Sequence, residues 1–163
     1  MVRYTYSPNV RTLVNNDLPT CIVADDHAVV REAVIIRLEE EALAGVIGEA
    51  RNGLEAINLI RAKRPDIALV DLRMPAATGL EVAQAVAAAQ LATKVIIYSA
   101  CIDTSMVEAA LAAGAHGYLA KEAGVGVMSS AFRSVMSGDV FVDASRPAAS
   151  PVVTSIVRAT EAG

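Results

Sequence analysis

Short apolar runs recur along this chain, and most of them stop at a charged or hydroxyl side chain. CIVA (21–24) runs into Asp25-Asp26, IALV (67–70) into Asp71, and KVIIYSA (94–100) carries Ser99 near its end. HGYLA (116–120) leads directly into Lys121. LAGVIGEA (43–50) is a further run of this kind. Runs without alternation predict strands covered on both faces, as in a parallel sheet. Between them the spacing turns helical, over about 28–41, from a cap at Asn52 to about 63, over LEVAQAVAAAQ, over MVEAALAAG, and over about 125–136. Pro65, Gly114 and Gly138 supply the stops. Strand and helix alternate five times, which predicts an α/β fold: a doubly wound, five-stranded parallel sheet with helices on both faces.

The ends read differently. Residues 1–19 are polar and unpatterned, closed by Pro19, and are expected to form a flexible leader before a body at 20–143. The stretch 144–163 is rich in small residues and proline and reads as a linker. Composition supports a packed body: 54% of the 163 residues are hydrophobic and 20% charged, which rules out wholesale disorder. With 31 alanines, 21 valines and no tryptophan, the core must be built from small and branched aliphatic groups. A net charge of -4 argues against strong duplex binding by this chain alone, because phosphate neutralisation requires a basic surface. Cys21 and Cys101 are too far apart in sequence to make a metal or redox motif, and they fit a reducing cytoplasm. No signal-peptide segment opens the chain, and no apolar run is long enough to span a membrane.

In doubly wound folds the site lies beyond the C-terminal ends of the strands. There the pattern places Asp25, Asp26, Asp71, Ser99 and Lys121. Three carboxylates in one crevice repel one another, and a cation relieves that repulsion. Hard oxygen donors make Mg2+ the natural choice, with calcium or manganese as alternatives. The backbone carbonyl of Arg73 is a further candidate ligand. An aspartate beside such a cation and a lysine is equipped to accept a phosphoryl group. Each residue alone would read as a cap or a surface group; their joint placement on alternating strands makes the case.

The stretches IVADDHAVVREAV (22–34), VIGEARNGLEAI (46–57), PDIALVDLRMPAATGLE (65–81), VIIYSA (95–100) and GAHGYLAKEA (114–123) together closely resemble the receiver domain of bacterial two-component response regulators. The resemblance spans about 21–143, and DDH-x-VVRE, GYLAK and AFRSVMSGDVFV narrow it to the subfamily with a LuxR-type helix-turn-helix output. It implies a flavodoxin-like (βα)5 fold with strand order 2-1-3-4-5. It implies that Asp71 is the phosphoacceptor, served by a sensor histidine kinase, with Asp25, Asp26, Asp71 and the Arg73 carbonyl around Mg2+. Lys121 is similar to the lysine that pairs with the acceptor. Ser99 and Tyr118 match the switch hydroxyl and the switch aromatic, and Pro75 and Gly79 match the loop after the acceptor. It further implies a regulatory phosphoacceptor rather than an enzyme, a possible homodimer on phosphorylation, and DNA binding only through a C-terminal domain expected beyond residue 163. Arg73 itself is expected to influence autodephosphorylation.

Other polar residues read as structural. His27 is expected in the first turn of the first helix, exposed or capping, without a ligand role; His116 is expected to be structural and Cys21 to be core. Cys101 lies near the proposed site. Tyr4, Tyr6 and Tyr98 carry no readable chemistry. A phosphatase with an aspartyl nucleophile would want D-x-D after the first strand, and a flavin carrier would want a Ser/Thr/Gly-rich phosphate loop there; Asp25-Asp26-His27 is neither. A stand-alone receiver or a phosphorylation-independent scaffold acting by protein–protein contact is the alternative.

Overall fold

The computed structural model describes residues 3–7, 10–14 and 17–143, the first two segments as paired strands only. These are β1 (Arg3–Ser7) and β2 (Val10–Val14), an antiparallel pair within the stretch expected as a leader. The linker expected over 144–163 lies outside the described residues.

The body runs β3 (Thr20–Ala24), α1 (Ala28–Glu40), β4 (Gly45–Ala50), α2 (Gly53–Lys63), β5 (Ile67–Asp71), α3 (Gly79–Ala88), β6 (Lys94–Ser99), α4 (Thr104–Ala112), β7 (Gly117–Ala120), α5 (Val125–Met136) and β8 (Phe141–Val142). The sheet order is β4-β3-β5-β6-β7-β8, and every pairing is parallel. The first five of these strands stand in the expected order. The sheet has six strands, not five, and that corrects the expectation. After α5 the chain turns at Gly138, whose φ of +90° suits glycine, and returns beside β7. Phe141 and Val142 then pair with Gly117 and Tyr118. Two residues are too few to show a periodicity, so this strand is set by the tertiary contact.

Side chains of the central strands alternate between two cores. Ile22, Val70, Ile97 and Tyr118 pack with Ala56, Val82, Ala83 and Ala110 from α2, α3 and α4. Val23, Leu69, Ile96, Tyr98 and Leu119 pack with Val34, Leu38, Phe132 and Val135 from α1 and α5. Burying one such aliphatic side chain contributes about 1.5–3 kcal/mol. The alanines let helices lie close: a Cβ on Gly114 would meet that of Ala87 at 3.0 Å. Cys21 is fully buried, and burial pushes its thiol up to about 12, consistent with an inert core residue.

Local signals fix the helix starts nearest the site. The Asn52 side chain accepts from the Glu55 N–H at 2.8 Å and caps α2. Thr78 and Glu81 form a reciprocal capping box at α3, which ends the loop after Asp71. That loop is also braced from α2, where the Gly53 N–H donates to the Pro75 carbonyl at 3.3 Å. Because the strands are parallel, Asp25, Asp71, Ser99 and Lys121 emerge at one edge of the sheet.

Candidate functional site

Asp25 follows β3 and is fully buried. Its Oδ2 accepts two hydrogen bonds, from the Tyr98 hydroxyl at 2.7 Å and the Lys121 ammonium at 2.9 Å. Its Oδ1 accepts the His27 N–H at 2.8 Å. Burial alone would raise the Asp25 pKa, but the Tyr98 hydroxyl, Lys121 and the His27 N–H outweigh it and hold the carboxyl below its usual range. Behind it, the buried Arg31 donates from Nη1 to the Asp25 backbone carbonyl at 2.8 Å and from Nε to Glu49 at 2.8 Å. Asp25 is therefore fixed through its side chain and its backbone.

Asp71 ends β5, also buried, with Oδ2 3.2 Å from the Lys121 ammonium. Burial and the neighbouring charge of Asp25 raise its pKa, against Lys121 and the Arg73 N–H, which lower it. Lys121 thus bridges two carboxylates. Burial opposes its charge, yet Asp25 and Asp71 together raise its pKa above the ordinary lysine value. The ammonium also stands 5.1 Å from the centroid of the Tyr98 ring, within cation–π range.

Ser99 closes β6 one residue beyond Tyr98, the register partner of Asp71. Its Oγ accepts the Cys101 N–H at 3.2 Å, and its carbonyl accepts the Lys121 N–H at 2.9 Å. Tyr118 is turned fully inward, and its hydroxyl donates to the Cys101 carbonyl at 3.1 Å. Ser99 and Tyr118 therefore hold the same residue, one through its N–H and one through its carbonyl.

Asp26 and His27 are exposed. His27 occupies the N-cap position of α1, but its ring makes no capping bond; Nδ1 lies 3.2 Å from Asp26 Oδ1 and 3.5 Å from Asp25 Oδ1. Ligand atoms from Asp25, Asp26, His27 and Asp71 all fall within 4.8 Å of one another. The carboxylates of Asp25, Asp26 and Asp71 come together here, and the Lys121 ammonium pairs with two of them. The oxygen-rich donor set and the uncompensated charge both fit a hard divalent cation. Arg73 is exposed two residues past Asp71.

Two residues here escaped the sequence reading. Arg31 looks like an ordinary helix residue until β4 brings Glu49 to it. Tyr98 did carry a signal: a tyrosine inside a buried apolar run must find an acceptor for its hydroxyl, and at a strand end that acceptor belongs to the site.

The family model described as the response regulator receiver domain matches residues 21–133. The chain belongs to the response regulator receiver family. Among curated relatives, the probable transcriptional regulatory protein NarL of Mycobacterium tuberculosis is 43% identical over 101 residues, covering 62% of this chain and 47% of that protein. The response regulator GacA of Pseudomonas aeruginosa is 32% identical over 121 residues, covering 74% of this chain and 56% of that protein. The chain spans about half the length of the curated relatives it matches. The solved signal receiver domain of the putative response regulator NarL from M. tuberculosis superposes with a TM-score of 0.71 at 37% identity, covering 74% of this chain and 98% of that one. A DNA-binding response regulator of the LuxR family from Staphylococcus aureus gives a TM-score of 0.69 at 27% identity, over 73% and 99%. This receiver is thus related to the NarL and LuxR group. Among the described residues, no helix is long and apolar enough to cross a membrane.

Proposed function

We propose that this receiver is a phosphorylation switch in which Asp71 takes a phosphoryl group from the phosphohistidine of a sensor histidine kinase. The observation that carries the reading is the Lys121 ammonium held at 2.9 Å from Asp25 and 3.2 Å from Asp71. A cation in that place is positioned to follow a phosphoryl group arriving on Asp71. An Asp71 oxygen attacks phosphorus, the bond from phosphorus to the imidazole nitrogen breaks, and the imidazole leaves with that electron pair. Asp25, Asp26, Asp71 and the Arg73 carbonyl would hold Mg2+. When bound, that ion would neutralise charge developing on the oxygens of the transferring phosphoryl group.

Lys121 then pairs with a phosphoryl oxygen. Ser99 gives up the Cys101 N–H to donate its own hydroxyl to the phosphoryl group, and the segment carrying Cys101 shifts with it. Tyr118 is tied to that segment and transmits the shift to β7 and its neighbours, changing a surface used for dimerisation and output. The chain assists only its own phosphorylation and dephosphorylation and turns over no separate substrate. The names of its relatives support an output in transcription, through a DNA-binding domain, and we place that action in the bacterial cytoplasm as part of the same proposal.

The test is incubation with acetyl phosphate and Mg2+, followed by intact mass measurement. The wild-type chain should gain one phosphoryl group and Asp71→Ala should gain none. An equal gain in Asp71→Ala would overturn the assignment.

A further inference from the structure

Tyr98 stands in a position that the roles above leave unused. It precedes Ser99 on β6, and its ring is buried with Val23, Leu69 and Leu119 in the core beneath α1 and α5. Its hydroxyl reaches into the site and donates to Asp25 Oδ2 at 2.7 Å. The same oxygen accepts from Lys121 at 2.9 Å, and the ammonium stands 5.1 Å from the centre of the Tyr98 ring. One side chain therefore touches both members of the pair that flanks the acceptor.

We propose that Tyr98 is a positioning residue for phosphoryl transfer, holding Asp25 and Lys121 so that the ammonium stays shared with Asp71. A carboxylate oxygen that already accepts a short hydroxyl bond draws less on a second donor. With the hydroxyl gone, Asp25 Oδ2 has Lys121 as its one remaining donor, and the ammonium moves toward Asp25 and away from Asp71. The carboxylate also gains freedom to rotate, since Oδ2 loses one of its two donors and Oδ1 is held by the exposed His27, through its N–H at 2.8 Å. The inference rests on Asp71 being the phosphoacceptor and Asp25 belonging to the Mg2+ site.

Tyr98→Phe keeps the ring, and with it the packing and the cation–π contact, and removes the hydroxyl alone. Partners that orient a metal ligand commonly change metal affinity by about tenfold or more when lost. Mg2+ titration followed by amide NMR, without any phosphodonor, should show weaker binding of about that size. Phosphorylation measured against acetyl phosphate concentration should show a lower maximal rate with the half-saturating concentration unchanged. A residue that serves packing alone would change the melting temperature and leave both quantities in place.

Wild-type and Asp71→Ala chains run alongside. If Asp71→Ala is still phosphorylated, the acceptor reading fails and this inference falls with it. If wild type is phosphorylated only through Asp71, yet Tyr98→Phe matches it in Mg2+ affinity and maximal rate, the positioning role alone is overturned. A further readout needs no variant. The Tyr98 hydroxyl proton in the wild-type chain should exchange slowly enough to give its own NMR resonance, and rapid exchange of that proton with water would also overturn the proposal.

Discussion

Replacing Lys121 with methionine removes one positive charge while keeping a stem of similar length. The ammonium lies 2.9 Å from Asp25 and 3.2 Å from Asp71, and its side chain is 18% exposed against 0% and 7% for the two aspartates. At an effective dielectric constant of about 20, each attraction is roughly 5–6 kcal/mol before desolvation. Desolvation offsets most of this, and breaking a buried pair by removing one partner costs about 3–5 kcal/mol. The partial exposure of Lys121 places the expected loss near the lower end, about 3 kcal/mol. The reason is the pair of buried carboxylates left facing each other. Urea unfolding in a chelator should show this loss for Lys121→Met. Added Mg2+ should then stabilise the variant more than the wild type, because the cation no longer competes with the ammonium, with about 1.4 kcal/mol gained for each tenfold in affinity. A loss below about 0.5 kcal/mol in chelator, the size of an ordinary surface change, would refute the reasoning. So would an equal gain from Mg2+ in both chains.

Three further outcomes are expected. His116 Nδ1 accepts the Val95 N–H at 3.1 Å, and burial, with the nearby charge of Lys94, lowers its pKa. The unfolded chain therefore takes up this proton first, so the stabilisation is complete above about pH 6.5 and is lost as pH falls through the folded value. His116→Asn should flatten that part of the urea midpoint against pH, and an unchanged profile would count against it. Arg73 is exposed two residues past Asp71. Arg73→Asn should shorten the half-life of the phosphorylated chain by opening the approach of water, and an unchanged half-life sinks the idea. Gly53 opens α2 against the loop after Asp71, where an added Cβ would overlap the Ala77 carbonyl. Gly53→Ala should cost about 1–3 kcal/mol by overpacking and slow phosphorylation, whereas a wild-type urea midpoint would show that the loop yields freely.

The strands that carry the site were readable because each is a short apolar run with a polar residue at its end. A parallel sheet brings such ends to one edge, so Asp25, Asp71, Ser99 and Lys121 could be grouped before any geometry was known. The caps at Asn52 and Thr78 act within one turn of helix, and the Asn52 cap could likewise be read from its local stretch. What escaped depends on contacts between distant segments. The Tyr98 hydroxyl becomes part of the site only when β3 brings Asp25 across the sheet, and Arg31 becomes a brace only when Glu49 on β4 reaches it. The sixth strand has two residues, and its partner, β7, comes from the other side of α5. The ring of His27 lies against the Asp25 and Asp26 carboxylates rather than capping α1.

The central claim is that Asp71 itself carries the phosphoryl group. The most direct test is to phosphorylate the chain with acetyl phosphate and Mg2+, reduce it with borohydride and map the product by tandem mass spectrometry. Borohydride converts an acyl phosphate to the corresponding alcohol, so homoserine should stand in place of Asp71 and nowhere else. Homoserine in place of Asp25 or Asp26, or a stable phosphoryl adduct on Ser99 or His27, would contradict the account.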